Sequence, residues 1–315
     1  MTSITGKILE TSALTDRIST FTIGPAQGAE LPGYEAGAHI TITLPDGQTR
    51  AYSLIWWDQI PQTPSDYMIA VQREDDGKGG STQMHQLEPG DTITFAPPKS
   101  DFPVQTDAPA VLLAGGIGVT PLISMAAALV DAGQRLRFHY AGRSKSVMAF
   151  HGALDRWLGP AFALHCDDAE TALNLDTVLS DLGEAHLYVC GPRGLIDAAR
   201  GMAETKGIPA ERIHFELFEA ASDQAGDQPF EVEVASTGAV YTVAAGQTII
   251  EALEDAGVDV MYDCQRGDCG ICQCDVVSGT PDHRDVVLSE AERASGEVIQ
   301  ICVSRSKSPR LVLDI

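Results

Sequence analysis

The chain has 315 residues, 44% of them hydrophobic, so it can bury real cores in two or three domains and is not a disordered chain. Its formal net charge of −23 disfavours nucleic acid and anionic membranes, which repel such a surface. There is no long apolar run, and the N-terminus MTSITGKILE lacks a basic segment followed by an apolar one; neither a transmembrane helix nor a signal peptide is expected, and a cytoplasmic location follows.

Residues 1–103 read as short strands: Thr20–Ile23, His39–Leu44, Thr49–Ile55, Tyr67–Gln72 and Asp91–Phe95. Turn signals such as Pro45-Asp46-Gly47 and Glu88-Pro89-Gly90-Asp91 separate them, which suggests an antiparallel β-barrel. On one strand, Arg50-Ala51-Tyr52-Ser53 offers a guanidinium, an aromatic plane and a hydroxyl. A flavin needs such groups for its phosphate, its ring and its edge. Gly77-Lys78-Gly79-Gly80-Ser81 adds a glycine-rich backbone suited to a terminal phosphate, although such a loop is also ordinary hairpin punctuation.

Residues 104–219 change pattern. Strands at Ala110–Ala114, Leu136–Ala141 and Tyr188–Cys190 alternate with helices from Pro121 to about Ala132 and over Gly194–Lys206, the signature of a parallel α/β sheet. Gly116-Ile117-Gly118-Val119-Thr120-Pro121 follows a strand and opens a helix, so backbone N–H groups can face a phosphate there. The third glycine of the dinucleotide fingerprint is replaced by Pro121, which suits a first helical turn. Cys190-Gly191-Pro192 forms a second turn that can border the same crevice, with the Cys190 sulfur near a nicotinamide or else simply in the core. Arg143 could hold a 2′-phosphate, whereas Asp167 and Asp168, after a further strand, could repel one; the residues leave NADH and NADPH open.

Ala220–Pro229 is small and polar and reads as a linker. Residues 230–315 start afresh with the alternating strand Phe230–Val234 and carry 15 acidic against 6 basic residues. Four of the chain's seven cysteines lie in Cys264-Gln265-Arg266-Gly267-Asp268-Cys269-Gly270-Ile271-Cys272-Gln273-Cys274. The spacing C-x4-C-x2-C over Cys264, Cys269 and Cys272, with Cys302 downstream, is that of a plant-type [2Fe–2S] cluster. Zinc also takes four thiolates but usually from paired C-x2-C units. Gly267 and Gly270 let the loop curl so that N–H groups face the sulfurs. Cys274 and Cys166 read as inert, and His85, His165 and His214 as structural or surface residues.

Residues 230–315 resemble a plant-type ferredoxin domain of β-grasp fold, including Gly246–Leu253 as a helix start and the ending Leu311–Asp314. Taken together, Arg-x-Tyr-Ser, Gly-Gly-Ile-Gly-Val-Thr-Pro, Cys-Gly-Pro and the C-terminal ferredoxin resemble the phthalate dioxygenase reductase family, to which vanillate demethylase and carnitine monooxygenase reductases are similar. That resemblance implies FMN at Arg50, Ala51, Tyr52 and Ser53, its phosphate near Gly80 and Ser81, and Val71 and Gln72 along the isoalloxazine. Gln72 stands where a lysine is frequent. It implies a nicotinamide nucleotide at Gly116, Gly118, Thr120, Pro121, Arg143, Cys190, Gly191 and Pro192, normally NADH. It also implies that Phe218 covers the flavin, that the protein is monomeric, and that the acceptor is a Rieske-type oxygenase component.

The chemistry is coherent. NADH gives up two electrons as hydride, a [2Fe–2S] cluster accepts one at a time, and a flavin can do both. No general acid or base is needed, so no catalytic triad is nominated. The acidity of residues 230–315 would steer a basic acceptor toward the cluster. An alternative is an FAD-type reductase with the same ferredoxin, serving a ketosteroid hydroxylase or a phenylacetyl-CoA epoxidase. Gly77–Ser81 discriminates, because a closed phosphate pocket suits FMN while FAD needs an exit for its adenylate. A non-enzymatic carrier is disfavoured by the intact Arg50–Ser53 and Gly115–Pro121 motifs.

Overall fold

Alternating burial along the early strands shows why they curl into a barrel: Phe21, Ile23, Ile40, Ile42, Ile69 and Phe95 all point inward and are buried. The computed structural model describes residues 3–26, 30–75, 79–218 and 226–315. They fall into two units, Met1–Glu216 and Leu217–Ile315.

In the first unit, strands β1 (Ile4–Ala13), β2 (Ile18–Pro25), β3 (His39–Thr43), β4 (Thr49–Ser53), β5 (Tyr67–Gln72) and β6 (Thr92–Phe95) form an antiparallel sheet in the order β4-β3-β6-β1-β2-β5. A bridge between Ile55 and Met68 brings its two edges together. A short helix α1 (Gly80–Met84) follows β5. Strand β1 was not expected from sequence. Most of its side chains are exposed, and its place comes from ladders to β2 and β6 rather than from an apolar pattern.

Five parallel strands make the second sheet of this unit: β7 (Ala110–Gly115), β8 (Leu136–Gly142), β9 (Phe162–Cys166), β10 (His186–Cys190) and β11 (Ile213–Glu216). Their order, β11-β10-β7-β8-β9, reverses direction between β7 and β10. Helices α2 (Val119–Asp131), α3 (His151–Leu158), α4 (Leu175–Ser180) and α5 (Arg193–Thr205) connect them. Helix α2 begins two residues before the expected Pro121 and is almost wholly buried, as its Leu, Ile, Met and Ala content demands. One core cluster spans barrel and sheet, joining Ile18, Ile55 and Phe102 to Leu122, Met125 and Tyr188. Ser124 on α2 pins them further: its hydroxyl donates to the Leu54 carbonyl at 2.7 Å and accepts from the Trp56 N–H at 2.9 Å.

The second unit has the mixed sheet β13-β12-β18-β14-β16, built from β12 (Phe230–Val234), β13 (Ala239–Val243), β14 (Gln273–Ser278), β16 (Val298–Gln300) and β18 (Arg310–Asp314). A ribbon of β15 (Pro281–Asp282) and β17 (Arg305–Ser306) completes its strands. Helix α6 (Ile249–Asp255) packs Ile249, Ile250 and Leu253 into the core and starts at a capping box between Thr248 and Glu251. A second box, Ser289 with Glu292, starts α7 (Glu290–Ser295). The sequence supports the helix near Gly246–Leu253 but places its start slightly early.

Two expected features meet the limits of the described residues. Gly77 and Lys78 of the phosphate loop and Ala220–Ala225 of the linker lie outside them. The last linker residues are described, and Asp227 is not free: Arg284 holds its carboxylate from two nitrogens.

Candidate functional site

Where a sheet of this topology changes direction, the chain leaves an opening at the strands' carboxyl ends. Here the opening lies between β7 and β10, and the two turns that rim it touch. A Cβ built on Gly118 would stand 2.2 Å from the Cys190 carbonyl oxygen, and one on Gly191 would stand 2.8 Å from the Gly115 Cα. Only glycine permits this approach. Gly116 also needs its glycine conformation, with φ of 55° and open space beside it.

A cleft of about 670 Å³ extends from these turns. Gly115, Gly116, Pro192 and Leu195 line one side; Arg143, Asp167 and Met148 line another. Arg17, Ile18 and Gln72 of the barrel line it too. The structure thus joins the end of β5 to both glycine turns in one cavity. Arg143 and Asp167, the pair that left the nucleotide open, share this cleft.

Three sequence-nominated residues sit deeper. Thr120 is buried and its hydroxyl donates to the Ile117 carbonyl at 3.0 Å. Pro121 is buried within α2. Cys190 has no exposed surface and belongs to the core. These shape the turns; none presents a side-chain surface to the cleft.

On the barrel, Arg50, Tyr52 and Ser53 occupy β4, with Ser53 buried and Ala51 exposed. The Arg50 side chain crosses to the start of α1, since a Cβ on Gly80 would stand 2.7 Å from Arg50 Nε. Gly79, with φ of 83°, turns the chain into that helix. A polar network that sequence reading missed sets this corner. Arg50 donates to Gln48 Oε1 at 2.8 Å, Gln48 Nε2 to Asp46 at 3.2 Å, and Gln83 Nε2 to Asp46 at 2.9 Å. Gln83 and the Gln48 N–H hold the Asp46 carboxyl below its ordinary range. Ser81 Oγ accepts from the Glu74 N–H at 2.9 Å. Burial pushes the Tyr52 hydroxyl up to about 12, so it stays a phenol at neutral pH. His85 Nε2–H donates to the Val71 carbonyl at 2.9 Å and fixes the end of β5 beside Gln72. A glycine cradle beside a guanidinium fits a flavin phosphate, which would rest on Gly80, Ser81 and Arg50.

In the second unit, the loop after α6 carries Cys264, Cys269 and Cys272 and the turn after β16 brings Cys302 to them. Cys302 bonds to both Cys264 and Cys272, and Cys264 also meets Cys269. Cys272 and Cys302 are buried, the other two partly so. The loop curls through positive φ at Gln265 (53°), Gly267 (82°) and Gly270 (77°). That curl turns N–H groups onto sulfur: Arg266 N–H donates to Cys264 Sγ at 3.3 Å. The Cys302 thiol, then the Asp268 side chain and the N–H groups of Arg266 and Asp268, pull the Cys264 thiol down to about 3. Cys272 is lowered mainly by Cys302, which itself rises because it donates to both. Four converging thiols, two of them shifted toward thiolate by their neighbours, fit an iron–sulfur cluster.

Buttresses around this loop carried no sequence signal. A Cβ on Gly267 would strike Val303 at 2.7 Å and stand 3.0 Å from the Asp285 Cα, so residues 285 and 303 brace the curl. Buried Asp285 accepts from the N–H groups of Val287 and Leu288 at 3.1 and 2.8 Å. Buried Gln300 receives the Cys272 thiol at 3.4 Å. Cys274 points to the Cys272 carbonyl, and burial raises its thiol to about 11, in keeping with an inert surplus cysteine. Phe218 falls in the second unit and is 38% exposed.

Comparison with known proteins adds independent findings. Residues 232–307 match the model of the 2Fe-2S iron-sulfur cluster binding domain. Tetrachlorobenzoquinone reductase of Sphingobium chlorophenolicum is 40% identical over 309 residues, 95% of this chain and 94% of the relative. Vanillate O-demethylase oxidoreductase of Acinetobacter baylyi is 37% identical over 307 residues, 96% of each chain. Among solved structures, phthalate dioxygenase reductase, described as a modular structure for electron transfer from pyridine nucleotides to [2Fe-2S], aligns with a TM-score of 0.74 at 37% identity, covering 99% of this chain and 98% of that one.

Proposed function

We propose that this chain, which belongs to the phthalate dioxygenase reductase family, is an oxidoreductase that takes electrons from NADH, passes them through a bound flavin to a [2Fe–2S] cluster, and delivers them to an oxygenase or demethylase component. One observation carries the reading: a single cleft is lined both by the barrel residue Gln72 and by the paired glycine turns of the nucleotide sheet. A nicotinamide bound at Gly115–Gly118 and Gly191–Pro192 can therefore lie beside a flavin that rests on the barrel.

The flavin, when bound, supplies the conversion between a two-electron hydride and single electrons. The chain's own residues bind, orient and exclude water. Arg50, Gly80 and Ser81 would hold the phosphate, Tyr52, Ser53, Val71 and Gln72 the ring system. The N–H groups opening α2 would face the pyrophosphate. Cys264, Cys269, Cys272 and Cys302 would ligate the cluster. No side chain is asked to move a proton.

The finer assignments follow from the same site. We assign FMN rather than FAD, supported by Gly80 packed against Arg50, which sets a glycine beside a guanidinium as a terminal phosphate requires. We assign NADH rather than NADPH: Asp167 shares the cleft with Arg143 and would oppose a 2′-phosphate. The acceptor is taken to be a Rieske-type component with a basic docking face, complementary to the acidic second unit, and the reductase a monomer in the cytoplasm. No helix among the described residues is long and apolar enough to cross a membrane. Domain limits of 1–103, 104–219 and 230–315 remain our division by cofactor.

The test is direct. The flavin released from purified protein should run as FMN on chromatography, and the intact protein should be reduced by NADH far faster than by NADPH. FAD in the released fraction would reassign the barrel to the alternative reductase class.

A further inference from the structure

Four cysteines must meet in the second unit, and its sheet accounts for two of them. Strands β14 and β16 pair from Gln273↔Gln300 to Asp275↔Val298. The Ile301 N–H extends that pairing to the Cys272 carbonyl at 3.3 Å. Buried Gln300 receives the Cys272 thiol beside it. Cys272 and Cys302 are thus brought together at the end of a ladder. Cys264 and Cys269 precede that ladder and take no part in it.

A different element reaches them, the segment Pro281–Leu288. One flank is fastened just after Cys302. Strand β15 pairs with β17 at Pro281↔Ser306 and Asp282↔Arg305, and the Arg284 N–H donates to the buried Ser304 hydroxyl oxygen at 3.1 Å. The other flank faces the cysteine loop. The Val286 N–H donates to the Gly267 carbonyl at 2.9 Å. A Cβ on Gly267 would stand 3.0 Å from the Asp285 Cα, and one on Gly270 would stand 3.5 Å from Val287 Cγ2. Both glycines curl the loop through positive φ, Gly267 between Cys264 and Cys269 and Gly270 directly after Cys269. Asp285 shapes the segment from inside. Its side chain has no exposed surface, and its Oδ2 accepts from the N–H groups of Val287 and Leu288 at 3.1 and 2.8 Å. Arg293 Nη2 stands 3.6 Å from that oxygen and donates to the Asp285 carbonyl at 2.8 Å. The turn so formed brings the Val286 N–H and the Val287 side chain onto the loop.

We propose that Pro281–Leu288 is a clasp that holds the Cys264–Cys269 arm of the loop against the turn carrying Cys302, and that Asp285, which ligates nothing, is the positioning residue at its centre. The clasp rests on the four-cysteine ligand set of the proposed function, and all of its residues belong to the second unit. The ligands are then set by two separate fastenings, the ladder for Cys272 with Cys302 and the clasp for Cys264 with Cys269. Groups that orient ligands without touching the metal govern how tightly it is kept. Removing the Asp285 carboxylate takes a charged acceptor from two N–H groups, so the clasp loosens while the ladder stays.

The experiment uses the full chain, flavin- and iron-loaded as isolated. Loss of iron–sulfur absorbance is followed in excess EDTA, and the visible circular dichroism of the oxidised cluster is recorded on the same sample. Asp285→Ala should lose absorbance at least about ten-fold faster than wild type, the scale of one lost hydrogen bond to a charged group, and its visible circular dichroism should change shape. Asp285→Asn, which keeps an oxygen for the two N–H groups, should match wild type in both. Thr248→Ala is the control: it breaks the capping box of α6, so it should lower the urea midpoint and leave the cluster's circular dichroism unchanged. Where Asp285→Ala does not accumulate with iron, Ser304→Ala, which removes the acceptor of the Arg284 N–H, should speed the loss and alter the dichroism in the same sense. Wild-type release and dichroism in Asp285→Ala, or in Ser304→Ala standing in for it, overturn the clasp and leave the ligand set intact. Asp285→Asn as fast as Asp285→Ala, or Thr248→Ala reproducing the altered dichroism, overturns the positioning role of Asp285. Absence of iron–sulfur absorbance in the wild type overturns the ligand set and the clasp with it.

Discussion

Gly118→Ala is the sharpest single perturbation of the nucleotide site. The added methyl would sit 2.2 Å from the Cys190 carbonyl oxygen, 2.4 Å from its carbon and 2.7 Å from the Gly191 nitrogen. All three are backbone atoms, so no side chain can swing aside. Restoring ordinary contact needs one turn to move by about 1 Å, at a cost of about 1–3 kcal/mol from overpacking. A displacement of that size in the groups that position a reactant slows reaction by roughly 100-fold. The assay is stopped-flow bleaching of the flavin band by NADH, with flavin and iron content measured on the same sample. Gly194→Ala is the control: it lies in α5 just past Pro192 with nothing within 4 Å of its Cβ, and it should be neutral or slightly stabilising. If Gly118→Ala reduces the flavin at the wild-type rate with unchanged NADH dependence, the paired turns are not the nucleotide site.

Cys264→Ser should abolish the iron–sulfur absorbance while leaving bound flavin, whereas Cys274→Ala should retain both; loss of iron in Cys274→Ala would contradict the ligand set. Arg50→Ala should weaken flavin retention roughly 10- to 100-fold, the range for one charge-assisted hydrogen bond, read by equilibrium dialysis without any turnover. His139 and His165 test the sheet. Their imidazoles bond at 3.0 Å, burial pushes His139 down to about 4, and His165 is lowered as well. Unfolding below about pH 6.5 therefore takes up protons that the fold excludes, so stability is fully present above that pH and declines as pH falls toward 4. For these half-buried rings the loss at pH 5 is on the order of 1–2 kcal/mol, visible as a lower urea midpoint. His139→Phe with His165→Leu should flatten that slope, and a wild-type midpoint that does not change between pH 7 and 5 would contradict the assignment.

Much of this architecture was legible because its signals are local. Tyr67–Gln72 and Phe230–Val234 were bounded correctly, since alternation and flanking turns define them. The cysteine loop was legible as a group of residues that come together, since the structure brings Cys264, Cys269, Cys272 and Cys302 near one another as their spacing suggests. The glycine turns were legible as glycines but not as partners: nothing in the sequence says that Gly118 lies against Cys190, a contact made by sheet order. Strand β1 and the Asp46–Gln48–Gln83 network escaped for the same reason. Most β1 side chains are exposed and the network residues are polar, so only the tertiary pairing gives them roles. Cys190 shows the limit in the other direction, for the sequence allows a core or a cleft position and the sheet buries it.

The most direct test of the central claim is an anaerobic titration of the purified protein followed by absorbance. Stoichiometric NADH should bleach the flavin band and the iron–sulfur band together, with NADPH far less effective. Flavin bleaching without change in the iron–sulfur band, or no iron–sulfur absorbance in freshly and anaerobically prepared protein, would contradict a path from pyridine nucleotide through flavin to the four-cysteine loop.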